Sequence, residues 1–172
     1  MELISFDERA RTYKASWQGH DVVVKKCDIW NQVPVTEELK NEAKVYEKLQ
    51  TLQGRCIPKL WLAGVANGME MLLVIDFVGT DVIQERLDDT PLRKIREALS
   101  AIHELGVVHG DIRPENIVIQ HHGPKAKIYF VDFGFSRLAV DKAELLEETA
   151  TMNSLLKDMA ATRSSSLEET AY

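Results

Sequence analysis

The chain is poor in the residues that mark several protein classes. It has two cysteines in 172 residues. Cys27 and Cys56 lie far apart with no export signal, so two free thiols in a reducing compartment are expected rather than a disulfide framework. No apolar stretch approaches the ~20 residues of a membrane span. Met1 leads into ELISFDERAR, acidic early and without a long apolar core, so no signal peptide is expected. A basic stripe is also missing. Lys and Arg number 21 against 27 Asp and Glu, a formal net charge of −6, which argues against a broad nucleic-acid footprint. What remains is ordinary for a soluble globular chain, with 45% apolar and 28% charged residues. This length suits one domain or two small lobes burying roughly 70% of the unfolded surface. An intracellular protein is expected, cytoplasmic, with the nucleus also open.

Glycine and proline are few and punctuate a clear order of elements. LISFDERARTYKASWQGHDVVVKK reads as two or three strands with a turn at Gln18-Gly19-His20, and Val22, Val23 and Val24 form a β-branched run. Thr36 is expected to cap a helix opening at Glu37-Glu38. Leu39, Ala43, Tyr46 and Leu49 repeat at helical spacing, and that helix fades near Gln53-Gly54. IPKLWLAG and MEMLLVIDFVG read as strands joined at Asn67-Gly68. A second helix is capped by Thr90 with Pro91 at its first position, carries Leu92, Ile95, Leu99 and Ile102, and ends at Gly106. NIVIQHHGPKAKIYFVDF predicts a hairpin around His122-Gly123-Pro124. A last helix spans about Lys142 to Ala160 with Leu145, Met152, Leu156 and Met159 inward. ATRSSSLEETAY reads as a disordered end. The expected architecture is α+β and two-lobed. A β-rich lobe with one helix covers about residues 1–78, and a truncated helical lobe covers about 79–162. A tail of residues 163–172 follows.

The polar residues fall on this frame in a pattern. Lys25 ends the valine strand and Lys26 should point to the opposite face. Glu42 lies between Leu39 and Tyr46 on the packed side of its helix, where an unpaired carboxylate is costly; Lys25 is the natural partner. Asp111 and Asn116 occupy the loop before the hairpin, and Asp132 stands at its far end, so hairpin geometry brings them together. Two carboxylates and an amide oxygen converging on one point suit a shared hard cation such as Mg²⁺. A lysine opposite them suits a polyphosphate. Phosphoryl transfer is the chemistry such parts serve.

These segments, in this order, resemble a protein-kinase-like domain from about Ser5 to Leu138. VVVK resembles the lysine strand, NEAKVYEKL the helix supplying its Glu, and LLVIDFVG the hinge; HGDIRPEN is similar to the catalytic loop and DFG to the magnesium loop. The similarity is greatest to short His-Gly-Asp kinases: small fungal kinase-like proteins, the KEOPS-complex kinase and the RIO kinases. The resemblance implies ATP and Mg²⁺ as cofactors and a fixed set of roles. Lys25 would hold the nucleotide phosphates, with Glu42 pairing it. Asp111 would be the catalytic base. Asn116 and Asp132 would bind metal. Arg113 would take the place of a phosphate-contacting lysine, Ile75 would sit beside the adenine, and Asp76 to Val78 would line the hinge with backbone groups.

The departures from the pattern matter equally. SFDERARTYKA, where the phosphate loop belongs, has Ser5, Asp7 and Ala10 at its three glycine positions, and Asp7 and Glu8 add negative charge. Gly110 replaces an arginine. No Ala-Pro-Glu follows Gly134, and few residues precede the last helix. Aminoglycoside-type phosphotransferases share His-Gly-Asp, but Arg113-Pro114-Glu115-Asn116 favours the protein-kinase side. The expected function is an ATP-dependent phosphotransferase of a minimal, atypical protein-kinase type acting on a hydroxyl of a protein substrate. The alternative is a pseudokinase scaffold that keeps the fold without turnover. His109 is expected to pack rather than react, His103, His121 and His122 show no metal spacing, and Trp17, Trp30 and Trp61 are expected in packing.

Overall fold

The computed structural model describes residues 2–6, 10–82, 89–122, 125–139 and 141–168. Its first part is an antiparallel sheet of five strands: β1 (Glu2–Phe6), β2 (Arg11–Trp17), β3 (His20–Asp28), β4 (Leu60–Ala66) and β5 (Glu70–Asp76), in the order β1-β2-β3-β5-β4. Two tight turns set its register. Gln18 and Gly19 have φ of 50° and 81°, the left-handed pair a two-residue hairpin requires, and Asn67 and Gly68, at 51° and 67°, open the three-residue turn that pairs Ala66 with Glu70. β3 is central, with Lys25 opposite Thr12 on one side and Leu73 on the other. Strand alternation sends Lys26 to the other face, where its Nζ meets Glu70 Oε1 at 2.8 Å.

Helix α1 (Val33–Lys48) packs on this sheet through Val35, Leu39, Val45 and Tyr46. It starts earlier than Thr36. Pro34 lies in the first turn, where its fixed φ favours a helical start, and Gln32 is the capping residue. Thr36 is instead buried inside the first turn, its Oγ1 donating to the Gln32 carbonyl at 3.0 Å.

After β6 (Thr80–Asp81), helix α2 spans Asp89–Glu104, so Thr90, expected as its cap, and Pro91, expected as its first residue, both lie inside its first turn. Ile95, Leu99 and Ile102 are buried, and Gly106 at φ 73° ends the helix. β7 (Val107–Val108) leads into a loop and then the hairpin β8 (Ile117–His122) and β9 (Lys125–Phe130), paired Ile117 with Phe130. Its expected turn at Gly123-Pro124 lies outside the described residues. β10 (Arg137–Leu138) returns to pair with β7.

Helix α3 (Lys142–Glu168) lies along α2, with Met152 and Leu156 buried and Leu145 and Met159 half-buried. It runs beyond the expected end at Ala160, so 163–168 of the expected tail is helical. Once a packed stretch has nucleated, each added residue needs only one more bond, and no apolar stripe is required. Residues 169–172 lie outside the described part.

One core joins the two parts: Leu39, Tyr46 and Leu73 from the sheet side continue through Phe133 to Ile95, Ile102, Ile117 and Phe130. This is the two-lobed α+β plan of a shortened kinase-like fold, read from the sequence and now seen.

Candidate active site

Lys25 is the centre of the first group of site residues. Its Nζ lies 3.0 and 2.9 Å from the two carboxylate oxygens of Glu42 and 2.9 Å from Asp132 Oδ1. Three segments far apart in sequence therefore meet on one ammonium. Burial opposes charge on Lys25, but the two carboxylates outweigh it and hold the ammonium above the ordinary lysine range. Burial pushes the Glu42 carboxyl up, with Lys25 pulling the other way; the side chain is 1% exposed. At Asp132 burial is outweighed by Lys25, so that carboxyl sits below its usual value and is ionised. Asp132 also has φ 67°, a left-handed backbone that Asp tolerates better than most residues and that functional sites favour.

The second group is the loop between β7 and β8. A 3-10 turn at Pro114–Asn116 folds Asn116 back so that both its amide hydrogens go to Asp111, at 2.9 Å to the carbonyl and 2.8 Å to Oδ2. Arg113 Nε is 3.2 Å from the same Oδ2. The Asp111 carboxylate is thus aimed from two sides. Its remaining oxygen, Oδ1, takes neither of these contacts. The two groups are tied through the hairpin, where Val131 N donates to the Asn116 carbonyl at 3.0 Å.

His109 supports both groups from beneath. It is fully buried against Phe133, with ring centroids 4.8 Å apart, and Phe133 meets Tyr46 of α1 edge-on at 5.6 Å. Burial pushes its imidazole down, keeping it neutral. Nδ1 accepts from the Asp111 amide at 3.3 Å, so Nε2 carries the proton and donates to the Val131 carbonyl at 3.1 Å. His109 therefore packs and orients.

Gly110 has a steric reason to be glycine. At φ 84° a Cβ there would lie 2.3 Å from the Phe135 carbonyl oxygen.

The hinge residues lie at the end of β5. Ile75 is buried in the sheet. The Asp76 amide donates to the Lys59 carbonyl and the Phe77 amide to the Asp21 carbonyl, each at 2.9 Å, while the Asp76 carboxylate accepts from Trp61 Nε1. Val78 forms a small apolar cluster with Val118, Tyr129 and Val131. The Asp7 and Glu8 positions of the expected phosphate loop lie outside the described residues. Ala10 is half-buried against the core.

Three residues central to this geometry escaped the sequence reading. Glu148 of α3 is 6% exposed and accepts from the His109 amide at 2.9 Å and the Gly110 amide at 2.7 Å, and its Oε2 lies 2.7 Å from His103 Nε2. Its signal was positional, three residues after Leu145 and four before Met152, on the inward stripe. Ser136 is buried and its Oγ donates to the His109 carbonyl at 2.6 Å. Asn41 Nδ2 donates to the carbonyls of Gly134 and Ser136 at 2.9 and 2.8 Å; only adjacency to Glu42 marked it.

A central-strand lysine held by a helical glutamate and by the aspartate of Asp-Phe-Gly, facing a His-Gly-Asp loop, defines a kinase-type site. The chain belongs to the protein kinase domain family, whose model matches residues 9–157. It is 28% identical over 131 residues to serine/threonine-protein kinase pkn2 of Myxococcus xanthus, covering 70% of this chain and 15% of that one. It is 27% identical over 107 residues to the KEOPS complex subunit Bud32 of Pyrococcus abyssi, covering 58% and 45%. MAP kinase-activated protein kinase 2 of Oryctolagus cuniculus is 30% identical over 111 residues, covering 64% and 27%. The chain spans less than half the length of each of these relatives. Among the described residues no helix is long and apolar enough to cross a membrane.

Proposed function

We propose that the protein is a minimal ATP-dependent kinase that transfers a phosphoryl group to a hydroxyl of a protein substrate. The observation that carries this reading is the Lys25 ammonium shared between Glu42 and Asp132. A structural ion pair needs one carboxylate. The second leaves a site of net negative charge that a cation would complete.

The residues fit Mg²⁺ and a nucleotide. Both donors of the Asn116 amide are used on Asp111, which leaves its oxygen as the remaining polar atom. Asp132 gives Oδ1 to Lys25, and its side chain is 36% exposed, so Oδ2 can serve as a hard ligand. Among the described residues no three His, Cys, Asp or Glu converge as a metal cage. One carboxylate plus one amide oxygen, completed by substrate phosphates, is the mode Mg²⁺ prefers. When bound, the metal neutralises charge on the transferred group. In this reading Lys25 binds phosphate, with Glu42 holding it in place, and Arg113 adds positive charge beside the transfer site. Asp111, aimed by Asn116 and Arg113, orients the acceptor hydroxyl and takes its proton. In the same reading Ile75 sits beside the base, with Asp76 to Val78 contributing backbone groups. Cys27 and Cys56, free and buried, support an intracellular, cytoplasmic setting.

A pseudokinase scaffold is the second reading, favoured by the absence of glycine from Ser5 to Ala15. Ligand-induced stabilisation separates the two. Mg·ATP at 100 times its dissociation constant should add about 2.7 kcal/mol, roughly 5–10 °C in melting temperature for a chain of this size. Asp132→Asn and Lys25→Met should each cut the shift sharply, measured against their own baselines. Asp111→Asn should keep most of it while transfer falls about 10²-fold or more. No shift for the unmodified protein at millimolar Mg·ATP would leave the scaffold.

A further inference from the structure

The segment after Asp132 is too short for a long regulatory loop, since β10 is already formed at Arg137 and α3 begins at Lys142. Yet α1 must be held inward for Glu42 to reach Lys25. Something other than a modified loop has to fix it there. Tyr46 does so through packing on Phe133, but an edge-on ring contact sets distance better than rotation. Glu42 also accepts from the Phe133 amide, so the residue paired with Lys25 is itself part of the seam between α1 and the Asp-Phe-Gly segment.

Asn41 is the neighbour of Glu42 and faces the same seam. Both hydrogens of its amide are committed, at 2.9 Å to Gly134 O and 2.8 Å to Ser136 O. These carbonyls lie two residues apart, so the amide spans one short turn and fixes its orientation. The turn is held from the other side as well. Ser136 Oγ donates to His109 O, and the Phe135 carbonyl sits where a Cβ on Gly110 would be. Glu38, one helical turn before Asn41, packs against Gly134, whose own Cβ would lie 3.5 Å from that of Glu38.

We propose that Asn41 is a positioning residue that locks α1 to the Gly134–Ser136 turn, and so sets the Lys25–Glu42–Asp132 arrangement without any modification of the segment after Gly134. It acts through Glu42 and touches no reacting atom. The assignment of a catalytic consequence rests on the kinase reading; the lock itself does not.

The test therefore has one arm without nucleotide and one with it. Asn41→Asp keeps the shape of the side chain but turns two donors into an acceptor facing two carbonyl oxygens, and Asn41→Ala serves as a second variant. In hydrogen exchange on the free protein, both should speed exchange of the Phe133 and Ser136 amides by about tenfold or more. Amides of the β8–β9 hairpin should change far less. Unchanged Phe133 and Ser136 exchange would overturn the proposal, as would a uniform rise across all segments in both variants. In the second arm the KM for Mg·ATP should rise about tenfold in each variant. In a Glu42→Gln background the same change at Asn41 should add little. Additive effects would show that Asn41 does not act through Glu42 and would overturn the positioning role. If the unmodified protein shows neither nucleotide binding nor transfer, the kinase reading fails, and the exchange arm alone decides the lock.

Discussion

Replacing Glu148 with Gln tests whether a single α3 carboxylate holds the loop after β7. Glu148 is 6% exposed and meets three groups: His103 and the His109 amide at Oε2, and the Gly110 amide at Oε1. A glutamine of the same shape has one acceptor oxygen. The better orientation keeps that oxygen at the position shared by His103 and His109, which leaves the Gly110 N–H facing an NH₂ group. One buried donor without a partner costs about 1–3 kcal/mol. The contacts that survive lose their charge assistance, which raises the total to about 2–4 kcal/mol. At 2–4 °C per kcal/mol for a chain of this size, the melting temperature should fall by about 5–15 °C. The pH dependence carries a second signature. Burial opposes ionisation of Glu148, but the contacts from His103, Gly110 and His109 outweigh it and hold the carboxyl below its ordinary value. A depressed carboxyl contributes stability above the unfolded glutamate value of ~4.3 and loses it as pH falls through the native value. The gap between parent and variant should therefore be full at pH 7 and shrink below about pH 4. Urea unfolding at several pH values measures both. A variant as stable as the parent at pH 7, or a gap that stays constant on acidification, would refute the reasoning.

Gly110→Ala places a Cβ 2.3 Å from the Phe135 carbonyl at φ 84°; the backbone term alone is about 1–3 kcal/mol, so denaturant unfolding should show a loss of at least that size. Tyr46 is fully buried with no partner for its hydroxyl among the described residues. Tyr46→Phe should accordingly leave stability unchanged or raise it by about 1–2 kcal/mol, and a clear drop would mean the hydroxyl is satisfied by water. Ser136 is 3% exposed with its hydroxyl committed to His109. Ser136→Ala should cost about 1 kcal/mol and change turnover only a few-fold, and mass spectrometry of active protein should find Ser136 unmodified.

The sequence by itself carried the order of elements and named the residues of both groups of the candidate site. Lys25 was legible because it ends a β-branched run, and Glu42 because a carboxylate on the apolar stripe of a helix demands a cation. Asp111, Asn116 and Asp132 were legible because a hairpin joins the positions on either side of it. These are local patterns, and their physical logic needs no knowledge of distant contacts. Helix ends were less secure. Pro34 moved the start of α1 ahead of Thr36, and propagation from a packed stretch carried α3 past Ala160.

What only tertiary structure decided are the contacts whose partners are far away in the chain. Asp132 could have served metal alone, but the fold places its Oδ1 on Lys25, 107 residues away in sequence. Glu148 looked like one acid among several on a charged helix. It became an anchor because α3 lies along α2 and brings that turn under two amides of the loop after β7. Gly110 read as a substitution for arginine; its necessity comes from a carbonyl of Phe135 that no local pattern places there. Asn41 is similar. An amide beside a stripe of apolar residues has no preferred partner until two segments fold against each other, and the partner is then fixed by hydrogen-bond geometry that the sequence does not encode locally.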